Sequence, residues 1–401
     1  MTLAQHVAAY SEWRADLSGV LEKFGRWLAE NELTDAQTDR RIADLLDKLR
    51  EDRLHVAFVA EFSRGKSELI NALFFANYGN RILPSTAGRT TMCPTELMFE
   101  RTRAPSIELL PIETRESNAS LSEYKRFRDQ WQVLALDTTS AEAMQDALRH
   151  VSDVRRVDLN TARKLGFAVD DEESTAFRVD ADGMLEIPRW RHAIINFPHP
   201  LLEQGLVILD TPGLNAIGTE PELTLSLLPN AHAVLFILAA DTGVTQSDLT
   251  VWEEHIGAQG GRKKGRIVVL NKIDSLWDEL KSAEEVEAEI SRQVETCAWT
   301  LALPAAQVFP VSAQKGLVAK INEDADLLHR SRVDVLEHAL SEELIPAKQE
   351  IVRDNTDSEF ADCYLRARSL LDSRLASLRE QVTELTELRG KNKGVVEYMM
   401  G

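Results

Sequence analysis

Several features are scarce in this sequence, and each absence excludes a class of protein. Its three cysteines, Cys93, Cys297 and Cys363, are too far apart in sequence for a disulfide framework or a zinc site. No apolar run approaches the roughly 18 residues that a membrane-spanning helix needs. Residues 2–30 form an amphipathic pattern with scattered charges, which is not the pattern of a signal peptide. We therefore predict a soluble, cytoplasmic protein.

Basic residues are also scarce. The chain has 46 Lys and Arg residues against 65 Asp and Glu residues, which gives a formal net charge of −19. Nucleic-acid-binding surfaces are normally basic, and anionic lipid headgroups repel an acidic surface. We therefore expect no nucleic-acid partner and no membrane binding through the main body of the chain.

A phosphate-binding loop is the clearest feature that is present. Ala60–Ser67 reads AEFSRGKS, which matches the Gly-x4-Gly-Lys-Ser pattern except that Ala60 replaces the first glycine. An apolar run at 54–59 precedes it and a helical pattern at 68–74 follows, so the loop joins a buried strand to a helix. Backbone N–H groups of such a loop wrap a phosphate chain. Lys66 would reach the β- and γ-phosphates and Ser67 would ligate Mg²⁺, whereas a chance match in an ordinary strand–helix turn is the alternative for the loop taken alone.

Two further segments follow predicted strands. Asp210-Thr-Pro-Gly213 comes after the apolar run 205–209. A carboxylate at the carboxyl end of a parallel strand lies where open α/β sheets bind ligands, so Asp210 can hold Mg²⁺ through water and the Gly213 N–H can meet a γ-phosphate. Ser312-Ala313 ends the strand pattern 308–311, and we expect the Ala313 N–H to donate to guanine O6.

The base-reading segment is Asn271-Lys-Ile-Asp274, which follows the predicted strand 267–270. Asp274 can accept hydrogen bonds from guanine N1–H and N2–H₂. Lys272 can lay its alkyl stem on the base, and Asn271 can tie the segment to the phosphate loop. Adenine lacks this donor pair and would leave a buried carboxylate unpaired, at a cost of about 1–3 kcal/mol. The sequence therefore predicts GTP rather than ATP.

A threonine that senses Mg²⁺ and the γ-phosphate is expected between the loop helix and Asp210. The Thr-rich stretch 83–95 offers Thr91, then Thr90 and Thr95. Loss of the threonine's contacts on hydrolysis would release this switch segment. The alternative is a loop that caps the following strand, 96–99.

Together, residues 60–73, 88–97, 206–215 and 270–274 resemble the bacterial dynamin-like GTPases. In the dynamin superfamily the switch reads Gly-x-x-Thr-x-x-Pro, which places Thr91. The resemblance implies an α/β fold, a P-loop GTPase domain with a mostly parallel sheet and helices on both faces, plus an all-helical neck bundle formed by both termini. It also implies hydrolysis of GTP to GDP with Mg²⁺, a homodimer through the GTPase domains or a paired dynamin-like protein, and membrane remodelling by the full-length protein, with a peripheral inner-membrane location.

The loop departs from this family in two ways. Ala60 restricts backbone freedom, although a negative φ suffices at the end of a strand. Phe62 stands where eukaryotic dynamins carry a glutamine that positions water, so whether hydrolysis is impaired is open. Catalysis would then depend on Ser63, Lys66, Thr91 and Arg64, with Arg64 either an arginine finger or a surface salt-bridge residue.

The candidate site is therefore large. The nucleotide-binding residues are predicted to be Ala60, Glu61, Phe62, Ser63, Arg64, Gly65, Lys66, Ser67, Asp210, Gly213, Asn271, Lys272, Asp274, Ser312 and Ala313. The Mg²⁺ ligands are predicted to be Ser67, Thr91 and, through water, Asp210.

The pattern along the chain predicts three regions. Residues 1–52 are N-terminal neck helices, 53–345 are the GTPase domain with an insertion at about 100–205, and 346–401 are a C-terminal neck helix. Thr34 is the expected N-cap of a helix at 35–50. An apolar stripe from Leu371 to Leu385 repeats at 4-3-4-3 spacing and is expected to pack on the N-terminal helices, with self-associating coiled-coil arms as the alternative.

A basic turn at 389–394 is expected to end this C-terminal helix. Family members usually continue into a trunk with a lipid-contacting tip, so we expect lipid contact only through a region outside this sequence. Within the insertion, the pattern predicts strands at 106–112 and 193–197, a helical stretch at 120–151, and packing roles for Trp131 and Trp190. Two rival functions stay open: a non-hydrolysing, GTP-gated scaffold and an ordinary regulatory GTPase.

Overall fold

The computed structural model describes residues 3–51, 53–61, 63–83, 93–117, 119–167, 182–211, 228, 231–257, 265–278, 280–344 and 348–400. They divide into two compact units. One unit comprises Met1–Asp52 with Arg353–Gly401, and the other is Arg53–Val352.

The strands of the larger unit form one nine-stranded sheet and a separate hairpin. Their bounds are β1 Leu54–Ala60, β2 Thr95–Met98, β3 Ser106–Pro111, β4 Gln132–Ala135, β5 Val154–Asp158, β6 Met184–Pro188, β7 Trp190–Asn196, β8 Leu206–Asp210, β9 Ala233–Ala239, β10 Arg266–Asn271 and β11 Val308–Pro310. The large sheet has the order β11-β10-β9-β1-β8-β2-β7-β3-β4, and β5 pairs with β6 alone. From β11 to β8 every pair is parallel, as is β2 with β7, whereas β2–β8, β7–β3 and β3–β4 are antiparallel. The predicted α/β fold with a mostly parallel sheet is confirmed.

Most helices of the larger unit are short, whereas the helices of the smaller unit have 16 residues or more. Their bounds are α1 Leu3–Glu30, α2 Ala36–Glu51, α3 Lys66–Ile70, α4 Leu121–Arg126, α5 Ala141–Arg149, α6 Leu159–Lys164, α7 Pro200–Glu203, α8 Gln246–Val251, α9 Ala283–Thr300, α10 Ala313–Ile321, α11 Ala325–Ser331, α12 Val333–His338 and α13 Lys348–Met400. π-Helical turns continue α3, α8 and α12, at Asn71–Phe75, Trp252–Gly257 and Ala339–Leu344. Within the described ranges, no helix combines the length and the apolar character needed to cross a membrane.

Both faces of the large sheet are covered. Alternate residues of β1 point to opposite faces, so Val56 and Phe58 join one apolar core while Ala57 and Val59 join another. The first core also contains residues of α3, α5 and α10, and the second contains residues of α8 and α9. Burial on both faces explains why the central strands read as unbroken apolar runs in the sequence.

The helical unit has a core to which both ends of the chain contribute. Leu28, Ile42 and Ala367 share one buried cluster, and the rings of Phe24 and Phe360 meet edge to face at 5.5 Å. The expected packing of the C-terminal stripe is only partly correct, because its members at 375, 378, 382 and 385 are 46–65% exposed. The reason is geometric: the Arg374 guanidinium bonds the carbonyls of Asn31 and Glu32, which form the turn between α1 and α2. Beyond this turn no further part of α1 or α2 is available to cover the stripe.

Three local predictions were wrong. Residues 389–394 continue α13 instead of forming a turn. The stretch 120–151 is split by β4 into two helices. The cap of α2 is Asp35 and not Thr34, because the Asp35 carboxylate accepts the Thr38 N–H at 2.7 Å.

Other predictions for the insertion hold. The predicted strands at 106–112 and 193–197 are confirmed as β3 and β7, which join the large sheet. Trp131 and Trp190 are buried, and each indole N–H donates to a backbone carbonyl.

Candidate functional site

Two of the described residues of the phosphate loop, which follows β1, have a left-handed backbone conformation. Ala60 is the last residue of β1 and pairs with Ile237 in the sheet, so the missing glycine lies in extended backbone. Ser63 has φ of 62° and Gly65 has φ of 86°, and α3 begins at Lys66. Glycine adopts this region readily, whereas a residue with a side chain rarely does, so the backbone strain of the loop lies at Ser63.

Asn271, at the end of β10, connects three segments of the site. Its Nδ2 donates to the Arg64 carbonyl at 2.8 Å, and its Oδ1 accepts the Ala313 N–H at 3.0 Å. The side chain is buried, and a Cβ at Gly65 would lie 2.4 Å from its Nδ2. The Ala313 N–H, predicted to donate to guanine O6, is therefore engaged by Asn271 in this structure, because the start of α10 packs directly against the end of β10.

The two segments predicted to read the base also meet. The Ser312 hydroxyl donates to Asp274 Oδ1 at 2.6 Å, while its oxygen caps α10 by accepting the Lys315 N–H. Lys272 is left-handed, with φ of 62°, and its Nζ contacts Asp241 Oδ2 at 3.0 Å. One carboxylate oxygen of Asp274 is thus fixed by a neighbour that is itself fixed by a helix start.

Lys66 and Asp210 form a nearly buried ion pair at the centre of the sheet. Asp210 ends β8, where its register partners are Phe58 of β1 and Thr95 of β2. Burial raises the pKa of the Asp210 carboxyl above its ordinary value, and Lys66 opposes this rise. The pair joins the first helical residue of α3 to the end of a central strand, where ligands bind in parallel sheets.

The position of Arg64 corrects one of the two sequence-based interpretations of that residue. It is only 5% exposed, and its Nη2 contacts Glu61 Oε2 at 2.7 Å and Asp248 Oδ2 at 3.0 Å. It is therefore not a surface salt-bridge residue. Its guanidinium faces these two carboxylates, and its role as an arginine finger stays a prediction.

The remaining candidates are placed as follows. Ser67 is the second residue of α3 and is half-buried, Ser63 is exposed, and Glu61 accepts the Ser247 hydroxyl at 2.8 Å. Thr95 lies in β2 and its hydroxyl donates to the Cys93 carbonyl at 3.0 Å. Phe62, Thr90, Thr91 and Gly213 lie outside the described residues.

Magnesium can be tested against the donor set. Among the residues that the structure describes, no group of three or more His, Cys, Asp or Glu side chains could hold a metal ion. Ser67 and Asp210 do supply a hydroxyl and a carboxylate, which are the hard oxygen ligands that Mg²⁺ prefers, and Mg²⁺ usually takes only one or two protein ligands beside phosphate and water. The residues present thus fit a Mg²⁺ ion held mainly by a nucleotide.

Sequence reasoning missed the partners of Arg64. Asp248 and Thr245 form a capping box at the start of α8, a pattern that is visible in the sequence as Thr-x-x-Asp. That pattern could have located the helix start. It could not have indicated that the carboxylate also binds a guanidinium 184 positions earlier.

Comparisons with known proteins identify the family of the chain. Residues 56–273 match the model of the Dynamin family. A "Bacterial dynamin-like protein" of Nostoc punctiforme is 22% identical over 304 residues, which are 72% of this chain and 36% of the relative. The "Isoniazid-induced protein IniA" of Mycobacterium tuberculosis is 35% identical over 94 residues, which are 23% of this chain and 14% of that protein.

Among solved structures, an oligomerised bacterial dynamin pair has 16% sequence identity and a TM-score of 0.44, over 96% of this chain and 52% of the other. The chain thus spans less than two thirds of each of these relatives. The match to the family model runs from β1, ahead of the phosphate loop, into the base-reading segment. Because that match covers more than half of the residues, the chain belongs to the dynamin family.

Proposed function

We propose that this protein binds GTP with Mg²⁺ and hydrolyses it to GDP. The observation that carries the proposal is the pair of hydrogen bonds made by the Asn271 side chain. Asn271 belongs to the base-reading segment, and its side chain bonds the phosphate loop at Arg64 and the start of α10 at Ala313. Two loops that belong to opposite ends of a nucleotide are thus held at a fixed separation. A site pre-formed in this way loses little entropy when the ligand binds.

Each proposed contact follows from the position of its residue. Backbone N–H groups of the loop and the start of α3 would surround the phosphates, with Lys66 leaving Asp210 to meet them. Asp274 would accept the guanine N1–H and N2–H₂ through its carboxylate, and the stem of Lys272 would cover the base. With Mg²⁺ present, Ser67, Thr91 and, through water, Asp210 would hold it, and the ion would neutralise phosphate charge.

Loss of Lys66 tests the phosphate contact. Lys66→Ala should abolish binding of a fluorescent GDP or GTP analogue, measured by titration. Lys281→Ala, which removes an exposed lysine just before α9, is the matched control and should bind like the unaltered chain. Unchanged GTP affinity in Lys66→Ala would show that Lys66 does not bind the phosphates and that the assigned site is wrong.

Base identity can be tested at Asp274. Xanthine carries a carbonyl where guanine carries its N2 amino group, so an amide N–H suits xanthine better than a carboxylate does. Asp274→Asn should therefore weaken GTP binding and strengthen binding of xanthosine triphosphate. If both affinities stay as they are, Asp274 does not read the base.

We further propose that hydrolysis is faster when two GTPase domains pair across the nucleotide face, either in a homodimer or with a paired dynamin-like protein. Turnover of GTP should then rise per molecule as the protein concentration is raised. A specific activity that is independent of concentration counts against pairing. Movement of the switch segment would be transmitted to the helices at residues 1–52 and 346–401, and in the full-length protein would serve membrane remodelling.

A second function is favoured by one observation. The Arg64 side chain pairs with Glu61 and Asp248, and it would have to leave both carboxylates to stabilise charge on a transferring phosphoryl group. A slow or non-hydrolysing GTP-gated scaffold would fit this arrangement, recruiting partners through its helices. Absence of turnover together with tight GTP binding would select this function over the first.

A further inference from the structure

We propose that Arg64 and Asp248 form a clamp that holds the phosphate loop in its nucleotide-receiving shape without touching the nucleotide. Arg64 is thus a positioning residue. The inference rests on the proposed guanine-nucleotide site and adds a mechanism for how that site keeps its form.

The Arg64 side chain of the clamp has four polar partners. Nη2 of Arg64 contacts Asp248 Oδ2 at 3.0 Å, Glu61 Oε2 at 2.7 Å and Thr245 Oγ1 at 3.4 Å, and Nη1 donates to the Thr242 hydroxyl. Arg64 is 5% exposed and Asp248 has no exposed surface. All of these partners except Glu61 belong to the segment from the end of β9 into α8. The loop is therefore fastened to the turn after β9 and to the start of α8.

The loop is held at Arg64 from two directions. The Arg64 carbonyl accepts from Asn271 Nδ2 at 2.8 Å, while its side chain reaches the start of α8. Its two neighbours, Ser63 and Gly65, are the left-handed residues of the loop. A strained conformation at a non-glycine residue such as Ser63 persists only where its surroundings enforce it. Fixing the residue between the two left-handed positions provides that enforcement.

Asp248 is itself fixed before it meets Arg64. Its Oδ2 accepts both the N–H and the hydroxyl of Thr245, at 3.0 and 2.7 Å, and its N–H donates back to the Thr245 oxygen. This capping box makes the first turn of α8 a rigid support. The Asp248 carboxylate oxygen that meets Arg64 is therefore positioned by the helix start.

The local charge also separates a clamp from a phosphate ligand. The single positive charge of Arg64 faces two carboxylates, Glu61 and Asp248, so the cluster carries no net positive charge toward a phosphate. Attraction of phosphate is left to the backbone N–H groups and Lys66. A clamp shapes the loop for GDP and GTP alike, whereas an arginine finger acts on the γ-phosphate that GDP lacks.

Measuring the affinity for GDP distinguishes a clamp from an arginine finger. Arg64→Lys keeps the charge but loses the planar fork that bonds several groups at once. Asp248→Asn keeps the shape but loses the carboxylate. In the 401-residue protein, both should raise the Kd for a fluorescent GDP analogue by about tenfold or more, and by the same factor for a GTP analogue. The double variant should bind as weakly as either single variant, because both remove one interaction.

Matched controls exclude general destabilisation. Glu108→Gln removes another buried carboxylate, which lies on β3 near the far edge of the sheet. This carboxylate pairs with Arg103 and Arg128. It should lower the melting temperature and leave the Kd for GDP unchanged. Thr242→Ala removes one exposed hydroxyl that binds Arg64, and should raise the Kd for GDP by a smaller factor. This variant decides the question if circular dichroism shows that Asp248→Asn does not fold.

Each outcome has one meaning. Equal weakening of GDP and GTP binding, absent from Glu108→Gln, supports the clamp. Unchanged GDP binding with slower turnover in the Arg64 variant overturns it in favour of a finger, and equal losses in Glu108→Gln overturn it in favour of general instability. If the unaltered chain binds no guanine nucleotide, the proposed function fails as well, whereas normal binding by the variants removes the clamp alone.

Discussion

Gly65 is the position where the structure allows no side chain. An ideal Cβ added there would lie 2.4 Å from Nδ2 and 3.6 Å from Cγ of Asn271. The backbone φ of 86° is a second obstacle, because an L-residue in this region costs roughly 1–2 kcal/mol. Gly65→Ala must therefore displace a buried side chain as well as strain the loop.

The displaced Asn271 leaves two partners without hydrogen bonds. These are the Arg64 carbonyl and the Ala313 N–H, and each unsatisfied buried group costs about 1–3 kcal/mol. Added to the strain, the total is roughly 3–8 kcal/mol. If only the lower end acts on the nucleotide-binding shape, GDP affinity falls by at least about 100-fold.

The assay is titration of a fluorescent GDP analogue with Gly65→Ala and with Gly79→Ala. Gly79 has φ of 70° but nothing within 4 Å of an added Cβ, so it reproduces the strain without the collision. Gly79→Ala should lower stability by about 1–2 kcal/mol and leave the Kd for GDP unchanged. The reasoning is refuted if Gly65→Ala binds GDP within threefold of the unaltered chain, or if both variants lose affinity equally.

Two further predictions concern stability. Lys66→Met should leave the buried Asp210 without its cation and raise the pKa of that carboxyl further. A carboxyl whose pKa is raised in the folded state contributes less to stability as pH rises. The melting temperature of the variant should therefore fall below that of the unaltered chain by more at about pH 8 than at about pH 5. An equal deficit at both pH values would contradict this. Gly316→Ala, whose Cβ would lie 2.4 Å from Val333 Cγ2, should destabilise by about 1–3 kcal/mol, whereas Gly390→Ala, in an open part of α13, should stabilise by about 1 kcal/mol in chemical denaturation. The same sign for both variants would refute the packing argument.

The central strands and the loops that follow them were predictable because their signals are local. An apolar run of strand length, followed by Gly-Lys-Ser and a helical pattern, determines β1, the phosphate loop and α3 without reference to the rest of the chain. The family resemblance then placed these strands in one mostly parallel sheet. The antiparallel β2–β8 pair was not predictable, because no feature within 95–98 indicates which strand lies beside it.

The stretch at about 100–205 shows the same limit on a larger scale. Its strands were partly predicted, but it was interpreted as an addition to a minimal domain. Among the strands that the structure describes in this stretch, β7, β3 and β4 extend the main sheet beyond β2, whereas β5 and β6 pair with each other. Strand patterns report that a segment is extended and half-buried, whereas the choice of neighbour depends on long-range packing.

The C-terminal stripe shows that an apolar helix face can be predicted without the length of it that is covered. The 4-3-4-3 spacing correctly predicts one apolar side of a helix, and Ala367 does join the core formed with α1 and α2. The length of the covered part is decided elsewhere, by the turn at 31–34 where the N-terminal helices reverse. A heptad pattern therefore identifies a surface that can be buried but not how much of it is buried.

The phosphate loop contains positions that can be predicted from the sequence and one that cannot. Its fixed positions, Gly65, Lys66 and Ser67, were interpretable because a phosphate chain demands them wherever the motif occurs. Arg64 occupies a variable position, so its role depends on what the rest of this chain places beside it, and Asp248 is the decisive neighbour. The two carboxylates that face Arg64 fit the proposed role of this residue as a part of the framework that gives the loop its shape.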